Sequence, residues 1–227
     1  MKRISKELVW LQSFGGVVNV HLWNGDTLLD TGAPLLTPVF LREAARGGYP
    51  AKGFKQVLLS HCHVDHSGGL LHLSHDLDVF GHGLDLDVLH GRRPAPKYHP
   101  RYGKWVEWAE SLIPKAALGK GHSTVAVKPG AKAAGWTMLS TPGHTSGSVC
   151  WYQPESRTLF TGDLLINHLD ILTGPARLFT EDYGAAMKSI QSLRELEVET
   201  LIFGHGPPIT KNAEKRLRSL AAKLPKE

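Results

Sequence analysis

Five histidines and three aspartates sit at positions in this chain from which their side chains can converge. Asp30 follows Leu28-Leu29, and the run His61-Cys62-His63-Val64-Asp65-His66 follows the apolar residues 57–59 and Ser60. His144 follows Thr141-Pro142-Gly143, Asp163 follows Phe160-Thr161-Gly162, and His205 follows Phe203-Gly204. Imidazole is the commonest metal ligand of proteins, and imidazole with carboxylate suits zinc, iron, manganese or cobalt. Residues two apart in an extended segment point the same way, so His61 and His63 share one side while Cys62 and Val64 turn to the core. Asp65 and His66 fall where the chain turns and can face a second point nearby. His144 and His205 can complete one half-site each, and the two oxygens of Asp163 can bridge two cations. A bound divalent cation lowers the pKa of water from ~15.7 towards ~7 and polarises a carbonyl. The chemistry expected of such a site is therefore hydrolysis, with Asp65 helping to orient the attacking water.

The elements that carry these residues are short and apolar. Val18, Val20 and Leu22 alternate with Asn19, His21 and Trp23, which predicts a strand. Asn24-Gly25-Asp26 then signals a turn into a second strand from Thr27. Further strands are expected at residues 57–59, 79–80, 136–139, 149–152, 158–160 and 201–203. Helical stripes lie at Trp105, Trp108, Ala109 and Leu112, at Ala186, Met187, Ile190 and Leu193, and at Leu217, Leu220, Ala221 and Leu224. Strands alternating with helices mean an α/β architecture. Each site residue follows a strand, where loops can be shaped freely on a rigid sheet. Residues 84–135, rich in Pro, Gly and charge around one helix, read as an insertion over a face. Tyr98, Trp105 and Trp108 are candidates for a lid wall there.

Composition bounds the rest. The 227 residues carry 26 Lys and Arg against 21 Asp and Glu, with 41% hydrophobic and 21% charged residues. These values exclude collagen, coiled coil and disorder. The +5 charge is mild and scattered, so no nucleic-acid partner is expected. Two cysteines make no disulfide framework, and 13 histidines against them favour an N/O metal site over a zinc finger. The N-terminal apolar stretch is broken by Gln12, Ser13, Gly15 and Gly16, a poor signal peptide, and no run is long enough for a membrane span. A cytoplasmic protein with a small-molecule substrate and no membrane partner is expected.

Taken together, LLDTG, SHCHVDHSGG, STPGHTSGSV, FTGDLL and FGHGP resemble the metallo-β-lactamase superfamily over about residues 14–210. The resemblance implies one domain over 1–227, an α/β four-layer αβ/βα sandwich of two mixed β-sheets with external helices. It implies that His61, His63 and His144 bind a first metal, that Asp65, His66 and His205 bind a second, and that Asp163 bridges. Asp30 would hold the ligand loops by hydrogen bonds. The cofactors implied are two divalent ions, zinc first, with iron or manganese as alternatives. The activity implied is binuclear zinc-dependent hydrolysis of an ester, thioester, lactone or β-lactam-like carbonyl.

Only 22 residues follow His205, whereas glyoxalase II enzymes use a longer C-terminal helical region. Ile166 stands where acyl-homoserine lactonases usually have Tyr, and no large insertion resembles the RNA-processing members. The alternative is a mononuclear iron persulfide dioxygenase, which also carries a Cys at the place of Cys62 and would hold iron with His61, His144 and Asp163. A non-catalytic, metal-stabilised binding module is a third reading. His168 is a candidate for the substrate pocket. His82 reads as structural or as supporting a ligand, and His21, His72, His75, His90, His99 and His122 as surface or local hydrogen-bonding residues.

Overall fold

In the computed structural model, which describes residues 1–13, 15–97 and 121–224, two mixed sheets carry the strand ends named above. The first sheet runs in chain order through β1 (Lys2–Arg3), β2 (Leu8–Ser13), β3 (Val18–Trp23), β4 (Thr27–Leu29), β5 (Gln56–Leu58), β6 (Asp78–Gly81) and β7 (Ser123–Ala126). It is antiparallel from β1 to β4 and parallel from β4 to β7. The second sheet contains β8 (Lys132–Ala133), β9 (Trp136–Ser140), β10 (Val149–Gln153) and β11 (Thr158–Phe160). After a separate hairpin of β12 (Ile166–His168) and β13 (Ile171–Thr173), β14 (Thr200–Ile202) adds parallel to β11.

Alternation sorts the apolar residues into layers. Leu58 packs between the sheets with Leu8, Trp23, Leu29, Trp136, Met138, Trp151, Phe160 and Ile202. Its neighbours Val57 and Leu59 point the other way, onto Phe40 and Ala44 of α1 (Thr37–Arg46) and Leu86 and Leu89 of α3 (Gly83–Leu89). Between α1 and α3 the short helix α2 (Val64–Ser67) continues into a 3-10 turn over Gly68–His72. On the far side, Leu159 and Leu201 meet Ala186 and Ile190 of α4 (Tyr183–Ser192) and Leu217 and Ala221 of α5 (Ala213–Lys223). Helices, sheet, sheet and helices thus form the four layers. Fully burying one Leu or Phe side chain contributes roughly 1.5–3 kcal/mol, so the inter-sheet layer anchors the frame. Trp136 meets Trp23 edge to face at 5.2 Å, and Trp151 donates its indole N–H across the sheets to the Leu59 carbonyl at 2.9 Å.

The expected strands form within a residue or two of their predicted bounds, and the two C-terminal stripes fall on α4 and α5, which begin three and four residues before them. The N-terminal apolar stretch, weighed only as a leader, is strand β2. Within residues 84–135, α3 packs on the first sheet, β7 extends that sheet and β8 pairs with β9, so both flanks belong to the frame. Tyr98, His99 and the stripe of Trp105, Trp108, Ala109 and Leu112 lie outside the described residues. Among the described residues no helix is long and apolar enough to cross a membrane.

Candidate metal centre

Parallel pairing aligns the carboxyl ends of β4 with β5 and of β11 with β14, because Leu29 pairs with Leu58 and Phe160 with Ile202. The loops leaving these ends and the end of β9 gather all seven proposed ligands. His61 Nε2 lies 3.1 Å from His63 Nδ1, which lies 3.0 Å from His144 Nε2. These three atoms lie close enough together to hold a metal ion, and so do those of Asp65, His66 and His205. In the second group Asp65 Oδ2 is 3.3 Å from His205 Nε2 and 3.6 Å from His66 Nε2. Asp163 spans both: Oδ1 is 3.3 Å from His66 Nε2, while Oδ2 is 3.1 Å from His205 Nε2 and 3.6 Å from His144 Nε2. Cys62 turns into the core, fully buried, as its place between His61 and His63 in an extended segment predicts.

The hydrogen bonds behind the rings fix which nitrogen faces inward. Ser60 Oγ donates its one proton to Asp30 Oδ2 at 2.7 Å and so accepts from His61 Nδ1 at 2.9 Å. Thr180 Oγ1 donates to the Ala176 carbonyl and so accepts from His144 Nδ1 at 3.3 Å. His66 Nδ1 donates to Asp30 Oδ2 at 2.7 Å, and His205 Nδ1 donates to the Val17 carbonyl. Each of these four rings therefore turns Nε2 to the centre, the arrangement by which acceptors behind a histidine orient it for metal. Asp30 also accepts from the Ser60 amide at 2.8 Å. A third group close enough together to hold an ion includes Asp30, His61 and His66, but its Asp30 oxygen is already engaged by Ser60 and His66, which leaves it the tying role expected.

The residues fit a cation on physical grounds. His66 Nε2 and Asp163 Oδ1 are buried and face each other at 3.3 Å outside good hydrogen-bond geometry, a state that a cation between them would improve. Burial, then the nearby imidazoles, holds His61 well below the usual histidine range, and burial holds His144 down to about 4. Both rings are neutral with lone pairs free to bind. In the second group burial opposes charge, but Asp163, Asp65 and Asp30 outweigh it and hold His66 well above the usual range. His205 is likewise pushed up to about 10, chiefly by Asp163 against burial. The same ion pairing, against burial, keeps Asp65 and Asp163 ionised.

Close approach dictates two of the glycines beside the ligands. A Cβ on Gly204 would lie 2.3 Å from His66 Cε1 and 2.4 Å from Asp163 Oδ1. A Cβ on Gly143, at φ +135°, would lie 2.1 Å from the Ala186 nitrogen at the start of α4.

His168 stands apart. It is exposed on β12 and belongs to none of these groups. His82 accepts from the Leu84 amide at the start of α3. His21, His72 and His122 face the carbonyls of Phe203, Pro34 and Leu70, and His90 faces the Thr124 hydroxyl. The residues missed from the sequence are Ser60, Thr180 and Val17. Ser60 stood in view next to His61; Thr180 and Val17 are distant in sequence from the rings they face and carry no signal.

A family model described as the metallo-beta-lactamase superfamily matches residues 15–205. The chain is 30% identical over 215 residues to “Probable metallo-hydrolase YflN” of Bacillus subtilis (strain 168), covering 87% of this chain and 81% of that protein. The crystal structure of metallo-beta-lactamase family protein TTHA1429 from Thermus thermophilus superposes with TM-score 0.67 at 21% identity, over 97% of this chain and 80% of that one. That of TTHA1623 in a di-iron-bound form superposes with TM-score 0.61 at 26% identity, over 96% of each chain.

Proposed function

The chain belongs to the metallo-β-lactamase superfamily, and from that premise we propose that it is a binuclear hydrolase of small-molecule carbonyl compounds. Its ligands are His61, His63 and His144 in one half and Asp65, His66 and His205 in the other, with Asp163 shared. The observation that carries this reading is the span of Asp163, whose Oδ2 lies near His144 of one half and His205 of the other while Oδ1 faces His66. Bound there, two divalent cations supply a Lewis acid and a water acidified towards neutrality. The donor set suits zinc and also accommodates iron or manganese, and the di-iron form of TTHA1623 supports iron as the alternative.

The chain's own residues do the rest. Asp163 and the histidines hold the reacting centre in a fixed place. Asp65 has 36% of its side chain exposed, the most open carboxylate of the cluster, so it meets the incoming water and orients it by accepting a hydrogen bond. An ester, thioester, lactone or β-lactam-like carbonyl is the substrate class that such a water attacks. A mononuclear iron dioxygenase using His61, His144 and Asp163 would leave the grouping of Asp65, His66 and His205 without a task. The test strips metal from the purified protein and restores zinc or iron, one at a time, against a panel of these carbonyl compounds. Hydrolysis should vanish and return with about two ions per chain. Activity surviving complete removal, or one iron with thiol-dependent oxygen uptake, would refute the proposal.

A further inference from the structure

Asp85 is a charged side chain in the apolar layer over the first sheet, only 5% exposed, and the site described so far gives it no role. It lies on α3, whose start is capped by His82. Asp85 Oδ2 accepts from the Cys62 amide at 2.7 Å and from Thr145 Oγ1 at 2.8 Å. Cys62 is the residue between His61 and His63, and Thr145 directly follows His144. One carboxylate oxygen thus holds two loops, each one residue from the nitrogens that meet at 3.0–3.1 Å. The loops come from different sheets, the first leaving β5 and the second joining β9 to β10. Ser148 locks the second contact: its Oγ accepts from the Thr145 amide at 2.8 Å and lies 2.8 Å from Thr145 Oγ1. The approach is close enough that a Cβ on Gly147 would lie 2.2 Å from Asp85 Oδ1.

We infer that Asp85 is a positioning residue for the first half-site, setting the distance between His61 and His63 on one loop and His144 on the other. Asp30 ties the loop of His61 to His66, and Asp85 ties the same loop to that of His144. The two buried carboxylates divide the centre between them. Losing a group that orients ligands typically weakens metal binding about 10–100-fold.

This inference rests on the metal reading above, and zinc alone is the probe. Competition with a chromophoric chelator gives the two binding constants in wild type, Asp85→Ala and Thr145→Val; cobalt substitution reports ligand geometry. Asp85→Ala should weaken one zinc by about 10–100-fold and perturb the spectrum of one cobalt, leaving the other ion near its wild-type constant. Thr145→Val, which frees only the second loop, should weaken the same ion to a smaller degree. Folded variants that bind both ions with wild-type constants and spectra would overturn the inference. If Asp85→Ala fails to fold, Thr145→Val decides it alone. A wild-type chain that takes up no metal would overturn the metal reading, and this inference with it.

Discussion

The two halves of the centre differ in burial and in charge. His61, His63 and His144 are 1–4% exposed, and burial leaves the His61 and His144 rings neutral. In the other half His205 is 23% and Asp65 36% exposed, and carboxylates hold His66 and His205 protonated when no cation is present. The first half is a preformed set of lone pairs, held across two sheets by hydrogen bonds behind the rings. The second is an ion-pair cluster in which protons occupy the place of a cation, and it reaches solvent through Asp65 and His205 while His66 is fully buried. On the proposed two-ion reading, the first half would hold its ion permanently and the second would exchange it, because entry there trades protons for metal.

The largest expected effect removes what joins the halves. Asp163→Ala should abolish hydrolysis and release at least one ion, a loss beyond the ~10–100-fold typical of a group behind a ligand. Activity and metal content measured together check this, and a variant that keeps two ions and its activity would break the comparison. Next comes pH. His66 and His205 must give up protons to a cation, so affinity for the second ion should rise with pH, about tenfold per unit for each proton displaced. The first ion should show a much flatter dependence above pH ~5, since His144 titrates near 4. The sign for the metal-free fold is the reverse. A histidine raised to about 10 adds stability below its unfolded value of 6.5, and that stability is lost as pH rises towards 10. Zinc titration and thermal melts at several pH values measure both, and parallel pH dependences of the two ions would erase the distinction. The smallest effect is Thr180→Val, which removes the acceptor behind His144 at 3.3 Å together with its hydrogen bond to the Ala176 carbonyl. A net hydrogen bond of about 0.5–1.5 kcal/mol corresponds to a two- to tenfold weakening of the first ion. A change confined to the second ion would mean that the halves are not separable.

How much of this could be read beforehand follows from range along the chain. His61, His63, Asp65 and His66 lie within six residues, so local periodicity alone fixes which way they turn. Residues 57–59 predicted β5, whose end delivers them. Asn19 and His21 show where local reading stops. Their alternation with Val18, Val20 and Leu22 marks a strand, yet β3 is buried on both faces. Asn19 Nδ2 reaches the Phe203 and Gly206 carbonyls at 3.1 and 2.7 Å, and His21 Nε2 faces Phe203 O at 3.0 Å. These polar side chains dock the first sheet against the loop of His205. Period two reveals a strand and says nothing of what covers its second face.

Sequence alone determined the candidate ligands, their order and the strands that end beside them, because each is read from neighbours a few residues apart. Tertiary structure decided the rest: that three imidazoles meet in the dry half and the ion pairs in the open one, that Thr180 and Val17 orient rings remote in sequence, and that Asp85 spans two loops. Those facts require contacts between residues 23 to 188 positions apart. Such contacts exist only once the sheets have packed and burial has set which groups keep their protons.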